Sequence, residues 1–561
     1  MKKTHKISLF AFLLAALSVG LWQCTTKEDL TKDLQIVVKN DLIRIPLSLR
    51  ILDLNPAPGA TTFAPPKVEI TVTGPDADNI YTPAIEKISA IGSVSGGLLD
   101  IALKKALIPT AQKPVKFSLT FKAAGYLTTV RSFQIVDTTL QMQEIGMINL
   151  SRPPQGVAVI NATVDVGANG LTQDAVIKGD SVKVDIPKGT IFKTANGEVV
   201  TGAVSVQLVQ FSPNSFASLE GYPGGFSPNN VKDKSGKDLG GGSFQTLGFL
   251  ALDMKAGDKE VKNFEGGELS VSMNVSNNLK NPNNNNANMK PGETVPLWSL
   301  DTKTGEWQEE QVITMTGTAA QPVATWKQKH LSYWNLDYFW GFCFTGKTLV
   351  FPSNLPPNYY YVEFVDNVTG FVYTRKYHYI DRNRSETLVF VPNTPNQVYL
   401  RISNAAYGYL AGSNNAPDPN AGIFSFRTNS FVMCGSGTVN LVLTPAPQAS
   451  TTPTITVRVR GYCPTNPNLL VGPTVVLWFK PAGSSPLNWR LLGLVNDGYF
   501  QTNLLAKGQA YDFMAFNGRT NQQIPNTDIP VEFRKIPTES TTNYTYLIPP
   551  IALPQSICDL F

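Results

Sequence analysis

Histidine is nearly missing from this 561-residue chain, which has three. His5 lies in the leader described below, so only His330 and His378 remain. The four cysteines outside the leader region suit disulfides better, so a catalytic zinc centre is not expected, nor is any other cofactor. Charge is sparse as well. Charged residues make up 16% of the chain, against roughly 25% in ordinary soluble domains. The net charge of +5 counts three lysines of the leader, and no basic cluster interleaved with aromatics follows. A nucleic-acid partner is therefore excluded from the expected functions. After Leu21 no apolar run approaches the twenty residues of a spanning helix, so attachment to a membrane would have to come from lipid.

In place of charge the chain carries Gly 44, Pro 40 and many Asn and Thr residues. Glycine, proline and asparagine break helices and build turns, so this composition favours strands. Val68-Glu69-Ile70-Thr71-Val72-Thr73 alternates apolar and polar and stops at Gly74-Pro75. Phe117-Ser118-Leu119-Thr120-Phe121 repeats that pattern. Period two is the signature of a half-buried strand. The expected class is all-β, as tandem β-sandwich domains, Ig-like or transthyretin-like, in an elongated array. Sandwiches are expected at 33–151, 155–340, 344–447 and 452–561. Pro153-Pro154 and the Pro/Ser/Thr stretch 445–453 act as linkers.

The start of the chain carries an address. Met1 to Lys6 is basic, Ile7 to Leu21 is apolar, and Cys24 follows Leu21-Trp22-Gln23. A basic start and an apolar stretch too short to span a bilayer form a secretory signal, taken as 1–23. With its closing cysteine it resembles the lipoprotein signals of Bacteroidetes, and Lys27-Glu28-Asp29 resembles that phylum's surface-export signal. The resemblance implies acylation of Cys24, a tether over 24–32 and a lipid anchor in the outer membrane facing outward. Cys343, Cys434, Cys463 and Cys558 remain for disulfides. Three pairings are open to four cysteines. Spacing favours Cys343 with Cys434 and Cys463 with Cys558, each enclosing about one sandwich.

Further motifs lie in 155–340. Val184-Asp185-Ile186-Pro187-Lys188-Gly189-Thr190 is followed by Leu297-Trp298 through Thr304-Gly305-Glu306-Trp307, a predicted hairpin with Gly305 at positive φ, and by His330-Leu331-Ser332-Tyr333-Trp334-Asn335. This order resembles the β-sandwich shared by cartilage intermediate layer proteins and their bacterial relatives, and its ending resembles the self-cleaving domains of adhesion receptors and netrin-receptor-like proteins. That resemblance implies autoproteolysis between Leu331 and Ser332. The Ser332 hydroxyl would attack the Leu331 carbonyl with His330 as base. The competing reading makes both residues part of a final strand. In the last segment Asp497-Gly498-Tyr499-Phe500 and Tyr511-Asp512-Phe513 resemble carboxypeptidase-regulatory sandwiches.

Other candidates reduce to structure. Pro282 to Asn288 reads as a solvated, floppy Asn-rich insertion. Asp233 to Asp238 has too few oxygen ligands for calcium and reads as a turn. Gly240-Gly241-Gly242 lacks the strand-to-helix context of a phosphate loop. His378, between Tyr377 and Tyr379, reads as a strand residue. Trp298, Trp307, Trp334 and Trp340 crowd together with Trp326, and if exposed they would form a platform for sugars or a protein partner. Without catalytic parts, the expected role is a non-enzymatic binding or scaffold subunit at the cell surface, with an outer-membrane protein or a surface glycan as partner, and the alternative is a carbohydrate-binding accessory lipoprotein of a glycan-uptake system.

Overall fold

The computed structural model describes residues 36–39, 42–352, 358–380, 385–403, 425–444, 455–484, 489–502, 504–505, 510–516, 521–524, 534–535, 544–548, 551–553 and 555–559. The leader, Cys24, the tether and the 445–453 linker lie outside these residues. What is described is all-β, with a few short helical turns, in tandem sandwiches.

The first segment packs two sheets over one core. Strand Ile43–Asp53 lies between antiparallel Leu98–Lys104 and parallel Gln141–Met147. The facing sheet contains Val68–Thr73, Val115–Lys122 and Thr129–Ile135. Alternation sends Leu47, Leu49 and Ile51 into the core, where they are buried with Phe117, Leu119 and Phe121.

Most of an eleven-stranded sheet lies in the second segment, and its central strands are buried on both faces. One face packs on the five-stranded sheet that includes Val182–Ile186, Leu269–Asn274 and Pro322–Gln328. The other packs Phe244, Phe249, Trp298 and Trp307 against Leu54, Leu127, Val130 and Ile148 of the first segment. The predicted hairpin is present as Thr294–Leu300 and Trp307–Thr314, with Gly305 at φ 72°. Its tip docks on the first segment, where Thr73 and Thr120 donate hydroxyls to the carbonyls of Lys303 and Thr302 at 3.3 and 3.0 Å.

No break separates the second and third segments. Strand Tyr333–Val350 is 18 residues long. Its first half pairs with Gly242–Ala256, and from Phe342 it pairs with Ser385–Pro392. The third segment's other sheet holds Asn358–Asp366, Val372–Ile380 and Val398–Ser403, and a single bridge from Tyr377 to Met142 extends it into the first segment.

The last segment closes the arrangement. Its strand Val475–Pro481 has two buried faces, because Val475, Leu477 and Phe479 enter that segment's own core, while Val476 and Trp478 join the first segment's core. Strand Ile36–Lys39 pairs parallel with Asn466–Gly472, so it belongs to the last segment's sheet, although it was expected to open the first sandwich. The tandem sandwiches are therefore joined side by side as well as in sequence. Disulfides Cys343–Cys434 and Cys463–Cys558 are formed, as the spacing suggested.

The Asn-rich loop corrects its composition-based reading. Pro282–Asn284 forms a 3-10 turn flanked by the pairing of Lys280–Asn281 with Ala287–Asn288. Asn285 and Asn286 take left-handed backbone, which Asn tolerates better than most residues. Asn284 donates to Glu293 at 2.6 Å, and Asn286 donates to Asn396 of the third segment at 3.2 Å. Side-chain amides bonding to neighbours supply the order that apolar burial does not.

Candidate functional site

At the candidate cleavage point the backbone is held in extended pairing. The Leu331 amide donates to the Lys262 carbonyl at 2.9 Å, and His330 bridges Asn263. None of residues 330–332 adopts a left-handed conformation. Ser332 Oγ donates to the Leu300 carbonyl at 2.7 Å, while His330 Nε2 lies 3.3 Å from Glu310 Oε1. Half-burial raises the Glu310 carboxyl, but hydrogen bonds from His330 and Ser299 outweigh it and hold the group below its usual range. A carboxylate thus orients the histidine. The hydroxyl that a relay would need is committed to another strand.

The tryptophan platform is not there. Trp298, Trp307 and Trp334 are at most 2% exposed. Trp298 Nε1 donates to the Asp337 carbonyl at 3.0 Å, and the Trp307 ring stacks on Tyr222. A Cβ on Gly224 would stand 2.4 Å from the Trp307 ring, so that close approach requires glycine. Trp340 is half-buried where the long strand passes from one sandwich to the next, and it packs against both cores. Large flat rings bury more apolar area than any other side chain, and a two-faced sheet offers them that burial. Trp326 is also in the core.

The remaining candidates are structural. Asp233 Oδ1 accepts from the Ser235 and Lys237 amides at 2.8 and 3.0 Å, which makes the turn. Gly241 and Gly242 lie against the Phe342 and Phe339 rings. His378 pairs with Tyr360 across two strands. Among the described residues, no group of three or more His, Cys, Asp or Glu is placed to hold a metal, and no helix is long and apolar enough to cross a membrane.

Sequence reasoning missed the cleft where the first three segments meet, about 330 Å³ in volume. Its walls are strands Thr129–Ile135 and Gln141–Met147, the turn following helix Phe216–Glu220, and strands Val372–Ile380 and Ser385–Pro392. Phe226, Tyr361, Tyr373 and Phe390 supply aromatic surface. Phe390 is at φ 50°, a left-handed position uncommon for an aromatic residue, and its ring meets that of Phe344.

Two of the charged residues that line the cleft, Arg375 and Glu220, are paired with each other, and Glu363 and Arg401 extend the pairing behind it. Arg375 bonds Glu220 of the second segment and donates to Glu363 at 2.9 Å, and Arg401 bonds the other oxygen of Glu363. Burial lowers Arg375, but Glu220, Tyr361 and Glu363 outweigh it and raise the guanidinium above its usual value. Arg131 donates to the carbonyls of Val130 and Pro223, and burial lowers it to about 10 against the opposing pull of Glu220 and Tyr222. Glu144 lies 3.4 Å from Arg50. Burial pushes it up to about 7, with Arg50 opposing and Glu220 adding to the rise. Aromatic walls and fixed charge pairs suit recognition of a polar, partly apolar group. These residues come from three segments, so no local motif announces them.

No known protein family matches the chain, and no curated protein matches it. Among solved structures it is similar to the major pilin subunit BcpA of Bacillus cereus at 8% identity and TM-score 0.12, over 90% of this chain and 97% of that one. The TIE protein of Bacillus anthracis matches at 8% identity and TM-score 0.11, over 70% and 58%. The major pilin RrgB of Streptococcus pneumoniae matches at 8% identity and TM-score 0.11, over 90% and 99%. Similarity at this level carries no functional inference.

Proposed function

We propose that this chain is a non-enzymatic binding or scaffold subunit, anchored at the outer face of the outer membrane through lipid on Cys24. The observation that carries the binding role is the three-segment cleft, with its aromatic walls and the Arg375–Glu220 pair. A partner would be an outer-membrane or cell-surface protein that inserts a side chain or short loop there. The fully extended reach from Cys24 to Ile36 is about 40 Å. Because Ile36–Lys39 pairs in the last segment's sheet, the anchor would keep that segment near the bilayer.

Two measurements test the reading. Cells fed a radiolabelled fatty acid should label the wild type and not Cys24→Ala, which should leave the membrane fraction. Labelling that survives the substitution would remove the anchor. Purification from detergent-solubilised membranes should recover a partner with the wild type and lose it with Val389→Arg, which puts a long charged side chain on the cleft lining. Equal recovery with the variant would rule out the cleft as the binding site.

A further inference from the structure

We propose that two copies of this chain associate edge to edge through strand Val157–Val166. This strand ends one side of the eleven-stranded sheet and pairs with Gly202–Phe211 alone. It is ten residues long with an unbroken register, the longest edge strand among the described residues. An open edge is a template for another strand, and proteins guard such edges with short length, bulges, proline or lysine. The far edge of the same sheet, Asp238–Gly240, is three residues long, and its pairing carries a register shift. Edge strand Thr129–Ile135 is covered at Val130, whose amide donates to the Pro223 carbonyl at 2.8 Å, and edge strand Leu98–Lys104 is bridged at Ala102 by Tyr81. Val157–Val166 has no such guard. It contains neither proline nor lysine, and Asp165 is its one charged residue.

The phase of its hydrogen bonds sets which backbone groups are free. The Ser212 amide donates to the Gly156 carbonyl at 2.8 Å, one step beyond the Phe211–Val157 pair. Bonded and non-bonded positions alternate along an antiparallel pair. Ala158, Ile160, Ala162 and Val164 therefore direct their backbone groups to Gly202–Phe211, while Val159, Asn161, Thr163 and Asp165 direct theirs to the open side. The Val157 amide has the same phase, since it turns outward to the Pro154 carbonyl at 3.1 Å. The outward N–H and C=O of Val159, Asn161, Thr163 and Asp165 have no hydrogen-bond partner among the described residues. Asn161, Thr163 and Asp165 are also exposed.

A second copy of the same strand satisfies all of these groups. With the strands antiparallel about a two-fold axis at Ala162, Val159 faces Asp165 of the second copy and Asn161 faces its Thr163. Each outward N–H then meets an outward C=O, and the one carboxylate faces an apolar side chain instead of its own copy. An axis at Asn161 would set Asp165 against Val157, whose amide is already bonded to Pro154. The contact is isologous, so it closes both open edges and stops at two chains.

Sedimentation of the full chain in density-matched detergent tests the proposal. The wild type should sediment at twice the mass of the chain. Thr163→Pro removes one outward amide from each copy, at an edge position where proline is tolerated, and should sediment as a single chain. Asn161→Lys combined with Thr163→Lys changes only exposed side chains, sets like charges opposite each other and should also give a single chain. Ala162→Cys should give a reducible band of twice the mass on denaturing gels. At the two-fold axis its Cα atoms would stand about 4.5 Å apart, within reach of a disulfide. Val312→Cys, exposed on a strand toward the other end of the sheet, should not cross-link. A wild type that sediments as a single chain would overturn the proposal. So would a dimer that survives in both edge variants, or cross-linking through Ala162→Cys no stronger than through Val312→Cys.

Discussion

Two buried regions of this molecule are lined differently, one by apolar residues and the other by apolar residues with polar groups set among them. Between the sheets of the second segment, Val184, Val271, Leu297, Trp326, Trp334 and Leu336 form an apolar core. Between the first and last segments, Ser48, Arg50 and Asp100 are as fully buried as those residues. The first region is held by area removed from water, which needs no precise partner. The second sets polar groups among the apolar ones, with Ser48 bonded to Asp100 and Arg50 3.4 Å from Glu144, and removing one partner of such a buried pair costs several kcal/mol. Burial alone therefore does not identify a core.

Mutation can separate the two. The largest effect is expected from Trp334→Ala, which opens a cavity in the apolar region and should cost about 3–5 kcal/mol in denaturant unfolding. Arg50→Ala should cost about 3 kcal/mol by stranding Glu144. The double variant Arg50→Met with Glu144→Leu should recover most of that loss, since apolar replacement of a buried pair is often neutral. No such rescue is expected for Trp334. If the double variant is as unstable as the single one, the contrast between the regions fails. Tyr373→Phe removes a buried hydroxyl that donates to Asp366 at 2.7 Å and should cost about 1–2 kcal/mol. Ser332→Ala should cost about 1 kcal/mol by losing the bond to Leu300, and on denaturing gels it should run as a single full-length band alongside the wild type. A wild-type doublet that Ser332→Ala abolishes would restore the cleavage reading.

Much of the fold was legible because it follows from local periodicity and turn chemistry. Alternation announced Val68–Thr73 and Val115–Lys122, and Thr304-Gly305 announced the hairpin between Leu300 and Trp307. Cysteine spacing picked out both disulfides. Contacts between segments were not legible, since period two says which residues share a face and not what covers it. Ser48 and Arg50 alternate as solvent residues do, and their cover comes from Val476 and Trp478, more than four hundred positions away. One signal was available. Val475-Val476-Leu477-Trp478-Phe479 is apolar without interruption, the mark of a strand buried on both faces. The tryptophans packed as most sandwich tryptophans do, with Trp298, Trp307 and Trp334 on neighbouring strands of one sheet and Trp326 on the sheet facing it. The Asn loop misled because composition ignores the left-handed backbone that asparagine accepts.

The claim that the last segment is seated on the first is tested most directly by a distance between them. Ile108 and Gln501 are both exposed, one in each segment. With Ile108→Cys and Gln501→Cys spin-labelled in the full chain at pH 6, pulsed electron resonance should give one narrow distance distribution. A broad distribution at that pH, as two sandwiches joined only by linkers would give, would contradict the account.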